Sequence, residues 1–98
     1  MMTDKIATPE LEAFIDETIE RAVERGYRPT VFQRMRRDHG TLVAIEKLVQ
    51  SGDIQSGFKR LRELGLLEWS IEAAVLKFPS EFSRAARECA EWRLRQAD

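Results

Sequence analysis

Acid–base or nucleophilic chemistry needs a hydroxyl or thiol, a base and an orienting group brought together, and this chain has few such groups to bring. His39 is its single histidine and Cys89 its single cysteine. His39 stands between Asp38 and Gly40 at the end of a short helical stretch. An imidazole there interacts with the negative end of the helix, a structural role with no chemistry attached. One Cys and one His fall short of the three or four ligands of a zinc site. The acids lack the twelve-residue loop of a calcium hand. Gly52 and Gly57 flank Asp53-Ile54-Gln55-Ser56, with no lysine where a phosphate cradle needs one. Catalysis, a bound metal, a cofactor and a small-molecule substrate are therefore not expected, and Cys89 reads as a small buried hydrophobe.

The side chains whose type and spacing do suggest action are charged or aromatic. Arg34, Arg36 and Arg37 fall in one helical stretch, 31–39, and Lys59, Arg60 and Arg62 in another, 57–64. If the two stretches share a face, these six bases can contact several phosphates, with affinity falling as salt rises. Glu10, Glu12, Asp16, Glu17, Glu20 and Glu24 crowd the first helix. That acidic face fits a basic groove on a partner, or lies against the chain's own basic helices. Trp69 and Trp92 stand at element edges, where tryptophan is a common anchor of protein interfaces.

The formal net charge of −1 conceals this segregation. Residues 1–24 carry a net of −5, residues 25–62 a net of +6 and residues 63–98 a net of −2. Charge of this kind speaks to association and steering rather than to fold.

Elements that position these groups read as helices almost throughout. Ninety-eight residues suit one domain, able to bury about two-thirds of its unfolded surface. Thr8 is an N-cap before Pro9, and Leu11, Phe14, Ile15, Ile19, Ala22 and Val23 recur on one face up to Gly26. Thr30 and Gln33 form a capping-box pattern for a short helix that turns Phe32 and Met35 inward and stops at Gly40. Thr41 caps a third helix, with Leu42, Ile45, Leu48 and Val49 inward, and Ser51-Gly52-Asp53 is turn chemistry. A fourth helix carries Phe58, Leu61 and Leu64 inward and ends at Gly65. Ser70 caps a fifth, from Ile71 to Phe78, which Pro79 stops. A sixth runs from about Ser83 towards Arg95, with Ala86, Cys89, Ala90 and Leu94 inward. The expected fold is all-α: a compact single domain over 1–98 of about six helices, several short, with 1–7 loosely held.

Gly26-Tyr27, Thr30, Phe32, Met35, Gly40, Ala44, Leu48, Gly57-Phe58, Leu61, Leu64-Gly65 and Leu67 form the first part of a longer pattern. It continues through Ser70-Ile71-Glu72-Ala73, Val75-Leu76, Phe82-Ser83 and Arg93-Leu94. Over these residues the chain resembles a family of small helical bacterial proteins, found alone or fused to larger ones, whose function is not established. The resemblance implies a fold and little chemistry. It departs where such proteins carry acids after the Phe82-Ser83 pair and this chain has Arg84, Ala85 and Ala86. The run from Arg34 to His39 is also more basic than that pattern.

Two functional expectations follow. The first is a non-catalytic protein-binding module, a small bacterial or phage regulator or inhibitor acting on a nucleic-acid-handling or host-defence complex. The second is a DNA-binding helix-turn-helix, with 42–49 supporting a recognition helix at 58–64. After Gly65, however, the sequence from Ser70 to Leu76 supplies a helix where a winged version needs a hairpin. No apolar run nears the ~20 residues of a membrane span, and the amino terminus lacks a signal peptide's apolar middle. A cytoplasmic location is the expectation.

Overall fold

The computed structural model describes residues 6–51 and 56–96. Among them run six α-helices and no strand, the all-α domain expected: α1 Pro9–Glu24, α2 Thr30–His39, α3 Thr41–Val49, α4 Ser56–Glu63, α5 Ile71–Lys77 and α6 Arg84–Gln96. Short 3-10 turns at Leu67–Trp69 and Pro79–Glu81 lead into α5 and out of it. Most of the loosely held segment expected at 1–7, and the turn residues Gly52 and Asp53, lie outside the described residues. Ala7 packs against the core.

Two helix ends use glycine for the same reason. Gly26 and Gly65 take φ of 88° and 73°, a left-handed conformation that costs a residue with a Cβ. Behind Gly26, the Tyr27 N–H returns to the Ala22 carbonyl at 2.9 Å; behind Gly65, the Leu66 N–H returns to Leu61 at 2.8 Å. Both are Schellman closures, and each folds an apolar residue back onto its own helix.

Helix starts show a second device. Thr8 caps α1 through the Leu11 N–H at 3.2 Å, and Glu81 in turn holds Thr8, accepting from its N–H at 2.9 Å and its hydroxyl at 2.6 Å. Ser83 caps α6 through the Ala86 N–H at 3.1 Å, and Glu46 of α3 accepts from the Ser83 N–H at 2.7 Å and hydroxyl at 2.8 Å. A carboxylate so placed satisfies free donors and faces the positive end of a helix. The chain ends of α1 and α6 are thereby tied to 3-10 turn and helix elements far away in sequence.

Two expected caps are corrected. Pro29, not Thr30, precedes the first residue of α2, and no side chain caps that helix. A tight turn from the Thr30 N–H to the Arg28 carbonyl at 2.8 Å draws Thr30 into the helix. Gly40, not Thr41, holds the N-cap position of α3, and Thr41 is its first residue with its hydroxyl given to Glu12 of α1 at 2.7 Å.

The apolar residues form two clusters. The larger joins Leu11 and Ile15 of α1 to Phe32, Ile45, Val75 and Ala86 from four other helices. The smaller joins Ala22, Leu61 and Leu66, with Tyr27, Leu64 and Trp69 packed against it. Each fully buried aliphatic side chain contributes roughly 1.5–3 kcal/mol, so the larger cluster dominates stability. Val23, expected inward, is instead an exposed apolar side chain of α1. On α6 Ala86 and Ala90 are buried, Cys89 is half-buried, and Arg93, absent from the expected inward set, is buried.

Candidate functional site

The seam between the two clusters is an open cleft of about 250 Å³. Ile19 and Ala22 of α1, Phe32 of α2, Leu48 of α3 and Phe58 and Leu61 of α4 give it an apolar wall. Amphipathic spacing explains why each faces inward: on α4, Phe58 and Leu61 lie one turn apart, as do Ile19 and Ala22 on α1. Gly57, without a side chain, admits Tyr27 to the cleft wall. A Cβ on Gly57 would stand 2.5 Å from the Tyr27 hydroxyl, which occupies the space instead.

Polar groups in the cleft are few. Thr18 is buried, and its Oγ1 has no hydrogen-bond partner among the described residues. Such a hydroxyl costs the desolvation it has lost, about 1–3 kcal/mol. Burial pushes the Tyr27 phenol above its ordinary pKa, so it stays a protonated donor. Arg28 and Thr30 stand at the rim beside the start of α2. Glu72 contributes to the wall but is engaged behind it by Arg93. Val31, 57% exposed, carries the apolar surface out to solvent.

The structure divides the six basic candidates. Arg36 is half-buried and faces α1, reaching Glu12 at 2.6 Å, Asp16 at 2.9 Å and the Thr41 hydroxyl at 2.9 Å. Burial opposes the charge on Arg36, but the hydrogen bonds and attraction of the two carboxylates outweigh it and raise its pKa. Arg37 pairs with its neighbour Asp38 at 3.1 Å, and Arg60 with Glu63 at 3.3 Å. Arg34, Lys59 and Arg62 are exposed and have no partner among the described residues. Arg36 therefore does not belong to an outward basic surface. Its guanidinium is drawn to the carboxylates of α1.

The acidic set is divided in the same way. Glu12 and Asp16 are taken by Arg36, and Glu17 by Arg21 at 2.7 Å. Glu10, Glu20 and Glu24 remain exposed. Two of the six acids are thus taken by α2 and a third by α1 itself.

The two tryptophans part company as well. Trp69 stacks on Phe14 with ring centroids 5.2 Å apart, and the Arg21 guanidinium covers it 4.1 Å from the ring centre. It is part of the second cluster and not a free anchor. Trp92 is 53% exposed on α6.

Among the described residues, the two helices that a helix-turn-helix would pair have their main contacts elsewhere. α3 packs on α2, α5 and α6, whereas the main contact of α4 is the 3-10 turn Leu67–Trp69. A groove beside His39, Val43 and Lys47 also contains Glu46 and Glu81, but those two carboxylates are engaged in holding Ser83 and Thr8. Among the described residues no three His, Cys, Asp or Glu side chains gather as a metal would need. Nor is any described helix long and apolar enough to cross a membrane.

No family model, curated protein or solved structure matches this chain. The functional reading therefore rests on the geometry.

Sequence reasoning named the charged residues and missed the cleft. Its apolar lining had the spacing of ordinary core positions, and the close approach of Tyr27 to Gly57 joins residues 30 apart in sequence. The orphan hydroxyl of Thr18 gave no signal, because a threonine on an apolar helix face reads as a tolerated core residue.

Proposed function

We propose that this chain is a non-catalytic protein-binding module that uses the α1–α2–α4 cleft as its docking surface. One observation carries the reading: an apolar cleft at the seam of two clusters, opening past exposed Val31 and flanked by Arg28. Apolar concavity with a polar rim is the usual anatomy of a recognition site. Lys59 and Arg62 of α4 add unpaired positive charge nearby in sequence to Phe58 and Leu61. That combination favours a partner with an apolar anchor and negative charge.

A bacterial or phage regulator or inhibitor working on a nucleic-acid-handling complex stays within this proposal as the context to search. Its suggested use of the α1 acids draws less support, since half of them are paired at home. Duplex DNA as partner also draws less support, because the main packing partners of α3 and α4 are other elements.

The test compares partner capture from bacterial lysate by the native chain, Val31→Asp and the pair Glu20→Lys/Glu24→Lys, alongside a duplex-DNA gel shift across a salt series. Loss of a captured protein with Val31→Asp alone supports the reading. Equal capture by all three, no capture even at low salt, or a DNA shift abolished by reversing Lys59 and Arg62 overturns it.

A further inference from the structure

α6 presents a tryptophan that the fold covers only in part. Trp92 is 53% exposed and, unlike Trp69, has no ring, cation or hydrogen-bond contact among the described residues. The buried row of α6 is Ala86, Ala90 and Arg93. The residues just before these, Ala85, Cys89 and Trp92, lie about 100° round the helix and form a second row that Gln96 completes. Spacings of four, three and four residues are those of a helix-pairing seam. Ala85, Trp92 and Gln96 are exposed and Cys89 is half-buried. Beside this seam, on the side away from the buried row, stand Glu88 and Arg95, one heptad apart.

We propose that α6 pairs antiparallel with α6 of a second copy of this chain, about a twofold axis between Ala90 and Glu91. Charge selects this occupant. In an antiparallel pair, the register that sets Trp92 over the partner's Cys89 also sets Ala85 over the partner's Gln96. The same register brings Glu88 to the partner's Arg95 and, by symmetry, Arg95 to the partner's Glu88. Each indole then enters a hole framed by Ala85, Glu88, Cys89 and Trp92 of the other copy, where Ala85 and Cys89 are small enough to admit it. Glu88 and Arg95 can exchange partners at little cost. Their present ones, Arg84 at 3.0 Å and Glu91 at 3.1 Å, are exposed residues of the same helix, and such pairs contribute little. No residue lining the α1–α2–α4 cleft comes from α6, so the pairing face and the docking surface are separate.

Sedimentation equilibrium tests it. A single helix pair makes a small, transient interface, so the mean mass should rise from monomer to dimer between about 10 µM and 1 mM. Trp92→Ala should weaken the dimer about tenfold or more, as loss of a tryptophan anchor does. Glu88→Arg and Arg95→Glu each set like charges across the axis, and each alone should weaken it about threefold or more. Mixed in equal amounts, those two variants should associate as the native chain does, because both pairs across the axis are then of opposite sign. All three are exposed changes, and circular dichroism should stay native in each. Trp69→Phe leaves Trp92 as reporter, and its emission should move to the blue over the same concentrations. A native chain that stays monomeric throughout that range, or one whose mass climbs past dimer, overturns the inference. So does a dimer indifferent to Trp92→Ala, or a mixture of the charge variants no more associated than either alone.

Discussion

Arg93 of α6 and Glu72 of α5 meet at 2.8 Å with their side chains 3% and 2% exposed, the most deeply placed ion pair among the described residues. Arg93 also reaches the Ser51 carbonyl at 3.0 Å and its hydroxyl at 2.9 Å, so one guanidinium ties α5, α6 and the end of α3 together. Such a pair contributes little net energy over an apolar replacement, yet breaking it from one side is costly. Glu72→Ala should lower the unfolding free energy by about 3–5 kcal/mol. Glu72→Leu combined with Arg93→Met should recover most of that loss. Urea denaturation of Glu72→Leu, Arg93→Met and the double variant measures the coupling, and additivity of the singles refutes it.

The same carboxyl gives a pH signature. Burial pushes Glu72 upward, and the hydrogen bond and attraction of Arg93 pull it back only in part, so its pKa stays above the ordinary glutamate value. An acid raised in the folded state binds more protons folded than unfolded. Its contribution is therefore fully present below the unfolded value of about 4.3 and is lost as pH rises through the folded value. The native chain should lose stability relative to Glu72→Gln as pH climbs from 4 towards neutrality. A difference that stays flat, or grows, contradicts the direction.

Helix placement was legible because capping residues, glycine stops and apolar spacing agreed along most of the chain. Thr8, Gly26, Gly65 and Ser70 each act as their residue types suggest. Where reading failed, a distant partner had intervened. Thr41 had the chemistry of a cap, but Glu12 took its hydroxyl from 29 residues away. Arg93 had the look of a surface residue until Glu72 and Ser51 met it inside. Arg36 looked like one base among three, and only the packing of α2 beside α1 showed that it serves structure. The cleft was illegible for a related reason: it arises where two sets of core residues fail to merge, and spacing along one helix cannot report that.

Trp69 and Trp92 give an optical check on this division. Trp69→Phe leaves Trp92 as reporter, which should emit to the red and be quenched readily by iodide. Trp92→Phe leaves Trp69 between Phe14 and Arg21, with bluer emission and weaker quenching. For stability, Trp69→Ala should cost about 2 kcal/mol, below the figure for a fully buried ring, whereas Trp92→Ala should stay within about 0.5 kcal/mol. Equal quenching of the two single-tryptophan forms is the contrary result.

Arg36 and Arg62 should respond unequally to charge removal. Arg36→Gln loses two carboxylate contacts and the Thr41 hydroxyl. Because Glu12 and Asp16 are partly or largely exposed, screening limits the loss to about 1 kcal/mol. Arg62→Gln should leave stability within about 0.5 kcal/mol, the usual range for a surface change. Thermal melts at low and high salt separate the two, since only the Arg36 penalty should shrink with added salt.

Thr18 carries a stability cost that one substitution should relieve. Its buried Oγ1 has no partner among the described residues, and the surrounding wall is apolar. Valine has the same shape without the hydroxyl and nearly the same helix preference. Thr18→Val should therefore stabilise the chain by about 1 kcal/mol, recovering part of the cost of an unsatisfied group. Thermal melts of the two forms check it, and an unchanged or lower midpoint for Thr18→Val is the contrary result.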